Sequence, residues 1–233
     1  MTLMNRTLVI MAKAPRLGSV KTRLAKSLPL QAVSELYRCL LDDTIALAQA
    51  LDGVEVAIMC PESDVEDLGR AAGGAVRVVP QTGNGLAAGL TSVFAHFAGA
   101  AHSRIVAFNS DSPHLPASVL ESAFQALATY DVVIGPTNDG GYYLVGATAS
   151  HPGLFTGDVM GTTSAFETLL ARARALRLSV HLTEPFYDID EAADLDRLVA
   201  ELQQTPGKAP KTAEWLLAWR SAAPQSVRNG GVE

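Results

Sequence analysis

Short apolar runs alternate along the chain with longer segments in which apolar residues recur every three or four positions. A short continuous run is typical of a buried strand, and the wider spacing is typical of a helix that packs on one side. The runs predict strands at residues 7–11, 54–59, 76–79, 104–108, 131–135, 142–146 and 178–182. The spacing predicts helices at residues 30–51, 63–72, 84–98, 116–129, 163–176 and 191–203.

This alternation predicts an α/β fold, a three-layer α/β/α sandwich in which crossover helices join the strands of a mostly parallel sheet. The run at 142–146 has no helix before it, so we expect that strand to pair antiparallel and the sheet to be mixed. Residues 1–203 are predicted to form this domain.

The composition changes after Gln204, where Thr-Pro-Gly-Lys-Ala-Pro occupies residues 205–210. Residues 204–233 are therefore predicted to form a linker, a short C-terminal helix and a flexible tail. Trp215 and Trp219 are four positions apart, so they share one face of that helix. Such a pair favours docking onto the core or a contact within a homodimer.

The overall composition narrows the possible partners and compartments. Of 233 residues, 48% are hydrophobic and 18% charged, and the formal net charge is −6. This balance argues against nucleic acid bound through a broad basic surface. No apolar stretch reaches the roughly 20 residues of a membrane span, and Lys13 interrupts the first apolar run too early for a signal peptide. Cys39 and Cys60 are too few for a disulfide framework, so we expect buried thiols in a cytoplasmic protein.

Candidate chemistry follows the predicted strands, because ligands of open α/β sheets bind outside the carboxyl ends of the strands. Directly after the first strand comes Lys13-Ala-Pro-Arg16-Leu-Gly18-Ser-Val-Lys21-Thr22-Arg23-Leu. Phosphate oxygens need cationic donors and free backbone N–H groups, and this loop supplies both. Its glycine spacing excludes a Walker loop and the Rossmann fingerprint. The alternative is a solvated basic loop.

Two acidic segments also follow strands. Asp111 lies just after the strand at 104–108, and Asp188 and Asp190 come after the strand at 178–182. Mg²⁺ or Mn²⁺ is typically held by one or two carboxylates plus ligand phosphates, so these three residues are candidate metal ligands. Asp111 could instead form an Asx-turn or cap the following helix. Asp190 could cap the helix that begins at 191.

A further candidate segment, Asn138-Asp139-Gly140-Gly141-Tyr142-Tyr143, joins two predicted strands. The glycines permit close backbone approach, and the tyrosines can stack on a ring or donate to a sugar hydroxyl. This makes Gly140, Gly141 and Tyr142 candidate substrate-binding residues. The same spacing also fits a hairpin with Asp-Gly at its turn.

Together, in order and approximate spacing, these four segments resemble the nucleotide-diphospho-sugar transferase superfamily, which has the glycosyltransferase-A fold. The resemblance covers about residues 7–200. It is closest to a bacterial glycosyltransferase-like family, some members of which are linked to arsenosugar biosynthesis. The resemblance implies that Lys21 and Arg23 contact nucleotide phosphates, with Lys13 nearby. It also implies that Asp111 is the main metal carboxylate and that Asp188 or Asp190 is the second.

One segment departs from the glycosyltransferase-like pattern. Gly83-Asn84-Gly85-Leu-Ala-Ala-Gly-Leu lacks the acidic and arginine residues expected there. It resembles the base-binding segment of nucleotidyltransferases such as phospholactate guanylyltransferases and molybdenum-cofactor nucleotidyltransferases. Val20-Lys-Thr-Arg-Leu is also similar to the Lys-Ser/Thr-Arg-Leu of the first of these groups.

The resemblance therefore implies a transferase with two candidate reactions. A glycosyltransferase would pass the sugar of a nucleotide sugar to a small acceptor, with Asp139 as the candidate base. A nucleotidyltransferase would release pyrophosphate from a nucleoside triphosphate. A catalytically silent nucleotide-binding domain is the third hypothesis. Because the basic residues are clustered in a loop, we expect Lys21→Ala to weaken nucleotide binding and leave the melting temperature nearly unchanged.

Overall fold

The computed structural model describes residues 5–74, 76–99 and 103–222. Within these residues, seven strands form one sheet. They are β1 (Arg6–Met11), β2 (Glu55–Cys60), β3 (Arg77–Pro80), β4 (Arg104–Asn109), β5 (Val132–Pro136), β6 (Tyr142–Ala147) and β7 (Val180–Leu182). Every predicted strand is present, and the predicted ends are wrong by no more than two residues.

The sheet is mixed, as predicted, with the strand order β3-β2-β1-β4-β6-β5-β7. β1 pairs in parallel with β2 and β4, and the pairs β2–β3 and β5–β7 are also parallel. β6 is antiparallel to both β4 and β5, which confirms the expectation for the run that has no helix before it. Because only β6 is reversed, the carboxyl ends of the other strands meet at one edge of the sheet.

The helices of the described chain cover both faces of the sheet. They are α1 (Leu30–Gln49), α2 (Val65–Ala71), α3 (Gly85–Phe97), α4 (Ala117–Ala126), α5 (Ala165–Ala175), α6 (Ala192–Gln204) and α7 (Pro210–Ala222). Leu8 and Ile10 of β1 pack with α1, α2 and α4, whereas Val9 packs with α3 and α5. Successive side chains of a strand point to opposite faces, so this alternation builds the predicted three-layer sandwich.

α6 and α7 pack with α1 in a third buried cluster, separate from the two that contain the strands of the sheet. Leu36 of α1, Leu198 of α6 and Leu216 of α7 belong to one buried cluster. The rings of Trp215 and Trp219 stack with centroids 5.5 Å apart, so the two residues share one face as predicted. The predicted flexible tail falls mainly on residues 223–233, which lie outside the described residues.

Buried Asp43 of α1 fixes the start of α7. One of its carboxylate oxygens accepts the backbone N–H of Thr212 at 2.7 Å, and the other accepts that of Lys211 at 3.3 Å. The first N–H groups of a helix have no partner within the helix, and a carboxylate there also complements the helix dipole. α7 therefore receives its N-terminal cap from a helix that is distant in sequence.

Replacing Asp43 by Ala is expected to lower the free energy of unfolding by about 2 kcal/mol, because two N–H groups lose their acceptor in a buried setting. Urea unfolding measures this loss. Asp43→Asn, which keeps an acceptor oxygen, should recover most of it. Asp42→Ala is the matched control, since it removes only the ion pair with a Lys211 side chain that is 61% exposed. Equal losses for Asp42→Ala and Asp43→Ala would contradict the capping role.

The structure also bears on the expectations about membrane spans and about buried cysteine thiols. Among the described residues, no helix is long and apolar enough to cross a membrane. Cys39 and Cys60 are both free thiols. Cys60 is buried, as predicted, but Cys39 is only half-buried on α1, so the prediction of a core thiol is wrong for Cys39.

Candidate active site

A cavity of about 720 Å³ lies at the edge where the parallel strands end. Segments that follow β1, β2, β3 and β4 contribute to its wall, as expected for ligand sites of open α/β sheets. The predicted site residues that line it are Lys13, Lys21, Thr22, Arg23, Asn84, Gly85, Asp111 and Asp190. The predicted residues that lie outside its lining are Arg16, Gly18, Gly83, Asp139, Gly140, Gly141, Tyr142 and Asp188.

Lys21 is the central cation of this cavity. Its backbone lies in the left-handed region with φ of +48°, which is uncommon for a residue with a side chain. The side chain is only 6% exposed, and Nζ forms ion pairs with Asp111 and, at 2.8 Å, with Asp190. Burial alone would lower the pKa of Lys21, but the charges of Asp111 and Asp190 outweigh it and raise the pKa. Lys21 therefore stays charged.

Asp111 presents two different oxygens to this site. Oδ2 forms the ion pair with Lys21. Oδ1 is buried and accepts no hydrogen bond from the described residues. Pro116 occupies the N-cap position of α4, and no side chain caps that helix, so the alternative role of Asp111 as its cap is wrong.

Asp188 lies behind the lining, close to Asp111. Its Oδ1 accepts a hydrogen bond of 2.8 Å from Nδ2 of Asn109, the last residue of β4. Burial, reinforced by the charge of Asp111, raises the pKa of Asp188. A buried carboxylate with a raised pKa is poorly compensated by its surroundings, and a cation nearby would favour its ionised form.

Asp190 faces the cavity, and its neighbour Glu191 caps α6. Glu191 and Asp194 form a reciprocal capping box at the start of that helix. The interpretation of Asp190 as the cap is therefore wrong, and its carboxylate is free to pair with Lys21. Arg23 Nη1 lies 3.7 Å from the other oxygen of Asp190, but the Arg23 side chain is half-exposed.

Arg16 is directed away from the cavity, although the sequence groups it with the other cations. Its guanidinium donates to Asp64 at 2.6 Å and to Asp67 at 2.5 Å, and it also binds the carbonyl of Ser63. Asp64 in turn accepts the backbone N–H of Ala14 at 2.9 Å. Arg16 thus fastens the loop after β1 to the start of α2, and two carboxylates already occupy its donors.

The segment between β3 and α3 brings a helix N-terminus to the cavity. Asn84, Gly85 and Leu86 line the wall at the first turn of α3. The Gln81 side chain donates to the carbonyls of Gly83 at 2.9 Å and Gly85 at 3.3 Å, which holds this turn in place. The free N–H groups of a helix start favour a negatively charged ligand.

The segment 138–142 is a tight β5–β6 hairpin, as one of the two interpretations predicted. Asp139 Oδ1 accepts hydrogen bonds from Thr137 Oγ1 at 2.5 Å and from the backbone of Gly141 at 3.2 Å. Gly140 has a φ of +90°, and a Cβ there would lie 2.0 Å from the Thr163 carbonyl. The glycines therefore serve the close packing of the hairpin against the segment before α5. Tyr142 is half-buried on the α3 and α5 side of the sheet.

Sequence reasoning did not single out several lining residues. The Tyr37 hydroxyl accepts the backbone N–H of Lys13 at 3.3 Å and lies 2.8 Å from Ser110 Oγ, so it joins the loops that carry Lys13 and Asp111. Tyr37 falls in the apolar stripe of α1, where only its hydroxyl distinguishes it from a core residue. Gln81 follows directly after β3, and the strand-end rule could have found it.

The sequence of residues 44–162, slightly more than half of the chain, matches the model of a family described as uncharacterized proteins conserved in bacteria (DUF2064). The chain belongs to this family. The match includes Asp111 and the hairpin, whereas the basic loop, Asp188 and Asp190 lie outside it. No curated protein matches the chain significantly.

Solved structures show the same fold. A protein of Desulfovibrio desulfuricans G20, provisionally named a nucleotide-diphospho-sugar transferase, is 25% identical with a TM-score of 0.85, covering 98% of this chain and 99% of that one. A nucleotidyl transferase of Methanothermobacter thermautotrophicus is 20% identical with a TM-score of 0.60 over 86% of this chain and 99% of its own.

A 4-diphosphocytidyl-2C-methyl-D-erythritol synthase of Anaerococcus prevotii is 11% identical with a TM-score of 0.56, covering 87% of this chain and 100% of its own. At these identities, the likenesses to the Methanothermobacter and Anaerococcus proteins show the fold alone. The predicted fold, that of the nucleotide-diphospho-sugar transferases, is confirmed.

Proposed function

We propose that the chain is a metal-dependent transferase that uses a nucleotide sugar as donor. The observation that carries this proposal is the meeting, in one cavity, of the basic loop after β1 with the carboxylates after β4 and β7. Phosphates need the first group and a divalent ion needs the second. The likeness to the Desulfovibrio protein, which extends over nearly all of both chains, supports the same class.

The cations of the cavity are suited to a diphosphate. Lys13, Lys21 and Arg23 line its wall together with the first turn of α3. Ammonium and guanidinium groups and free backbone N–H groups donate to phosphate oxygens, and here these donors come from two separate segments of the chain. In an acidic chain, this local concentration of donors is what would hold a polyanionic ligand.

The carboxylates fit one divalent ion that arrives with phosphate. Asp111 Oδ1 is buried without a hydrogen-bond partner among the described residues. In the same residues, no three acidic, histidine or cysteine side chains converge closely enough to hold an ion by themselves. Mg²⁺ usually takes one or two carboxylates plus substrate phosphates. We therefore assign Asp111 as the main ligand and Asp188 or Asp190 as the second.

In the proposed reaction, an acceptor hydroxyl attacks the anomeric carbon, and the bond from that carbon to the nucleoside diphosphate breaks. Lys21 and Arg23 share the negative charge that develops on the diphosphate. When bound, the divalent ion would neutralise the same charge. The acceptor proton needs a base, and Asp139 is poorly suited, because the hydrogen bond from Thr137 lowers the pKa of Asp139.

The hydrogen bonds that Asp139 accepts within the hairpin make it a poor base, and this favours nucleotidyl transfer as a second candidate. A phosphate or carboxylate acceptor is already ionised at neutral pH, so its attack on an α-phosphorus, with pyrophosphate leaving, needs no base from the protein. The resemblance of the 83–90 segment to nucleotidyltransferases supports the same alternative.

Thermal shift with nucleoside triphosphates, diphosphates and sugar nucleotides, each with and without Mg²⁺ or Mn²⁺, tests both candidates. A ligand at 100 times its dissociation constant adds about 2.7 kcal/mol to the free energy of unfolding, which such a scan detects. A metal-dependent shift with sugar nucleotides, followed by release of nucleoside diphosphate, supports the proposal. A shift confined to triphosphates, with release of pyrophosphate, supports the second candidate. No shift with any of them refutes both.

Asp111→Asn is expected to lower kcat/KM for the substrate found in this way by at least about a hundredfold, because a neutral amide is a poor ligand for a divalent ion. The side chain keeps its size, so the fold should persist and circular dichroism should match that of the wild type. Asp52→Asn is a matched control at an exposed acidic residue outside the cavity, and its activity should stay within about twofold of wild type. Full activity of Asp111→Asn would remove Asp111 from the reaction.

A further inference from the structure

The basic loop and the carboxylates meet most closely at Lys21. Its Nζ lies between an oxygen of Asp111 and an oxygen of Asp190, and only 6% of the side chain is exposed. Asp111 and Asp190 are two of the three residues assigned to the metal. An ammonium group held there and a divalent ion both require these oxygens and repel each other across a short distance.

We propose that Lys21 and the divalent ion compete for Asp111 and Asp190, and that bound phosphate relieves the competition by drawing the Lys21 ammonium to its own oxygens. The inference rests on the proposed function, because it needs metal and phosphate in the same cavity. It goes further, because it makes Lys21 the residue that couples the binding of one to the binding of the other.

The Lys21 ammonium can reach a second set of acceptors inside the cavity. Its side chain already lines the cavity beside Thr22 and Arg23, where a phosphate would accept their hydrogen bonds. The lysine stem has four flexible carbons, so Nζ can exchange carboxylate oxygens for phosphate oxygens while the backbone stays in place.

The remaining charges explain why the released carboxylates would take an ion. The carboxylates of Asp111, Asp139 and Asp190 all act on that of Asp188, and Lys21 and Arg23 are cations that offset this negative charge. When the Lys21 ammonium turns to phosphate, the carboxylates lose their most buried counter-charge. A divalent ion that also binds phosphate replaces that charge, so phosphate and metal reinforce each other, and the coupling is reciprocal.

The test measures Mn²⁺ binding to the full chain without any nucleotide, from the electron paramagnetic resonance signal of free Mn²⁺. Lys21→Met keeps the stem and removes the ammonium, and we expect it to bind Mn²⁺ at least about tenfold more tightly than wild type. Arg23→Met is the matched control, since it also removes one positive charge near Asp190. Because Arg23 is half-exposed and 3.7 Å from that carboxylate, its loss should change the Mn²⁺ affinity by less than about threefold.

A second measurement uses inorganic pyrophosphate as the phosphate probe. Water-proton relaxation reports Mn²⁺ bound to protein separately from Mn²⁺ held by pyrophosphate in solution. Pyrophosphate should raise the Mn²⁺ affinity of wild type by a larger factor than that of Lys21→Met. Lys21→Gln, which keeps a hydrogen-bond donor, replaces Lys21→Met if the latter does not fold.

Three results would overturn the inference: Lys21 variants that bind Mn²⁺ no more tightly than wild type, an equal gain in Arg23→Met, or no Mn²⁺ binding by any variant. A different result would refute the proposed function. If Lys21→Met gains Mn²⁺ affinity while no nucleotide shifts the melting temperature, the competition between Lys21 and the ion is supported. The proposal of a nucleotide substrate is then refuted.

Discussion

Lys21→Met is expected to lower the free energy of unfolding by about 2 kcal/mol, which for a chain of this size is a fall of about 4–8 °C in Tm. Lys21 is nearly buried, and its ammonium is the closest counter-charge of Asp111 and Asp190. Removing one partner of a buried ion pair leaves the other charge uncompensated. The loss stays below the value for fully buried pairs because Asp190 is 38% exposed and water screens it. Thermal and urea unfolding measure it.

This expected loss of stability differs from the prediction made from the sequence, in which Lys21→Ala leaves the melting temperature nearly unchanged. Lys13→Met is the matched control, because it removes an exposed lysine from the wall of the same cavity. Its free energy of unfolding should stay within about 0.5 kcal/mol of wild type. If the two variants unfold at the same temperature, the ion pairs of Lys21 contribute nothing to stability and the sequence-based expectation was right.

His114 is expected to make the protein about 3 kcal/mol less stable as the pH falls from 7 to 4. The imidazole is fully buried against the rings of Phe186 and Tyr187. Burial lowers its pKa from the ordinary 6.5 to about 4. Between these values, the unfolded chain binds a proton that the folded chain does not, so the free energy of unfolding rises with pH. The contribution is complete above pH 6.5 and is lost as the pH falls toward 4.

Urea unfolding of wild type and His114→Gln at several pH values measures this contribution. The variant should be less stable at pH 7, but its stability should fall less steeply below pH 6.5, since the titrating group is gone. The slopes due to all other groups cancel in the comparison. His96→Gln, which removes an exposed histidine of α3, should keep the wild-type profile. Parallel profiles for wild type and His114→Gln would show that His114 carries no pH dependence.

The predicted and observed roles of Arg16 and Lys21 show where local sequence stops being informative. Both are cations of one loop, and nothing within the loop separates them. Arg16 binds Asp64 and Asp67, which are about 50 residues further along the chain. Lys21 binds Asp111 and Asp190, which come from other strand ends. The packing of α2 and the order of the strands bring these partners near. Whether each cation can bind a ligand or instead holds the structure together is therefore decided only in the folded chain.

The roles of the acidic candidate residues were also decided only in the folded chain. The sequence allowed Asp190 to be a helix cap or a metal ligand, and the capping box of Glu191 with Asp194 removes the first possibility. Asp139 was a candidate base, and its hydrogen bonds within the hairpin make it a weak one. In both cases, hydrogen bonds between neighbouring residues decided the role, and these depend on backbone angles that the residue types alone do not determine.

By itself, the sequence determined the order of strands and helices, the mixed sheet and the edge at which the chemistry collects. It could do so because burial imposes a periodicity of two or of three to four on apolar residues, and because polar segments must follow buried strands. The tertiary structure decided which polar side chains enter the cavity, how Lys21 is shared between two carboxylates, and that α7 is capped by Asp43. These are contacts between residues far apart in the chain, and only the packed layers set their distances.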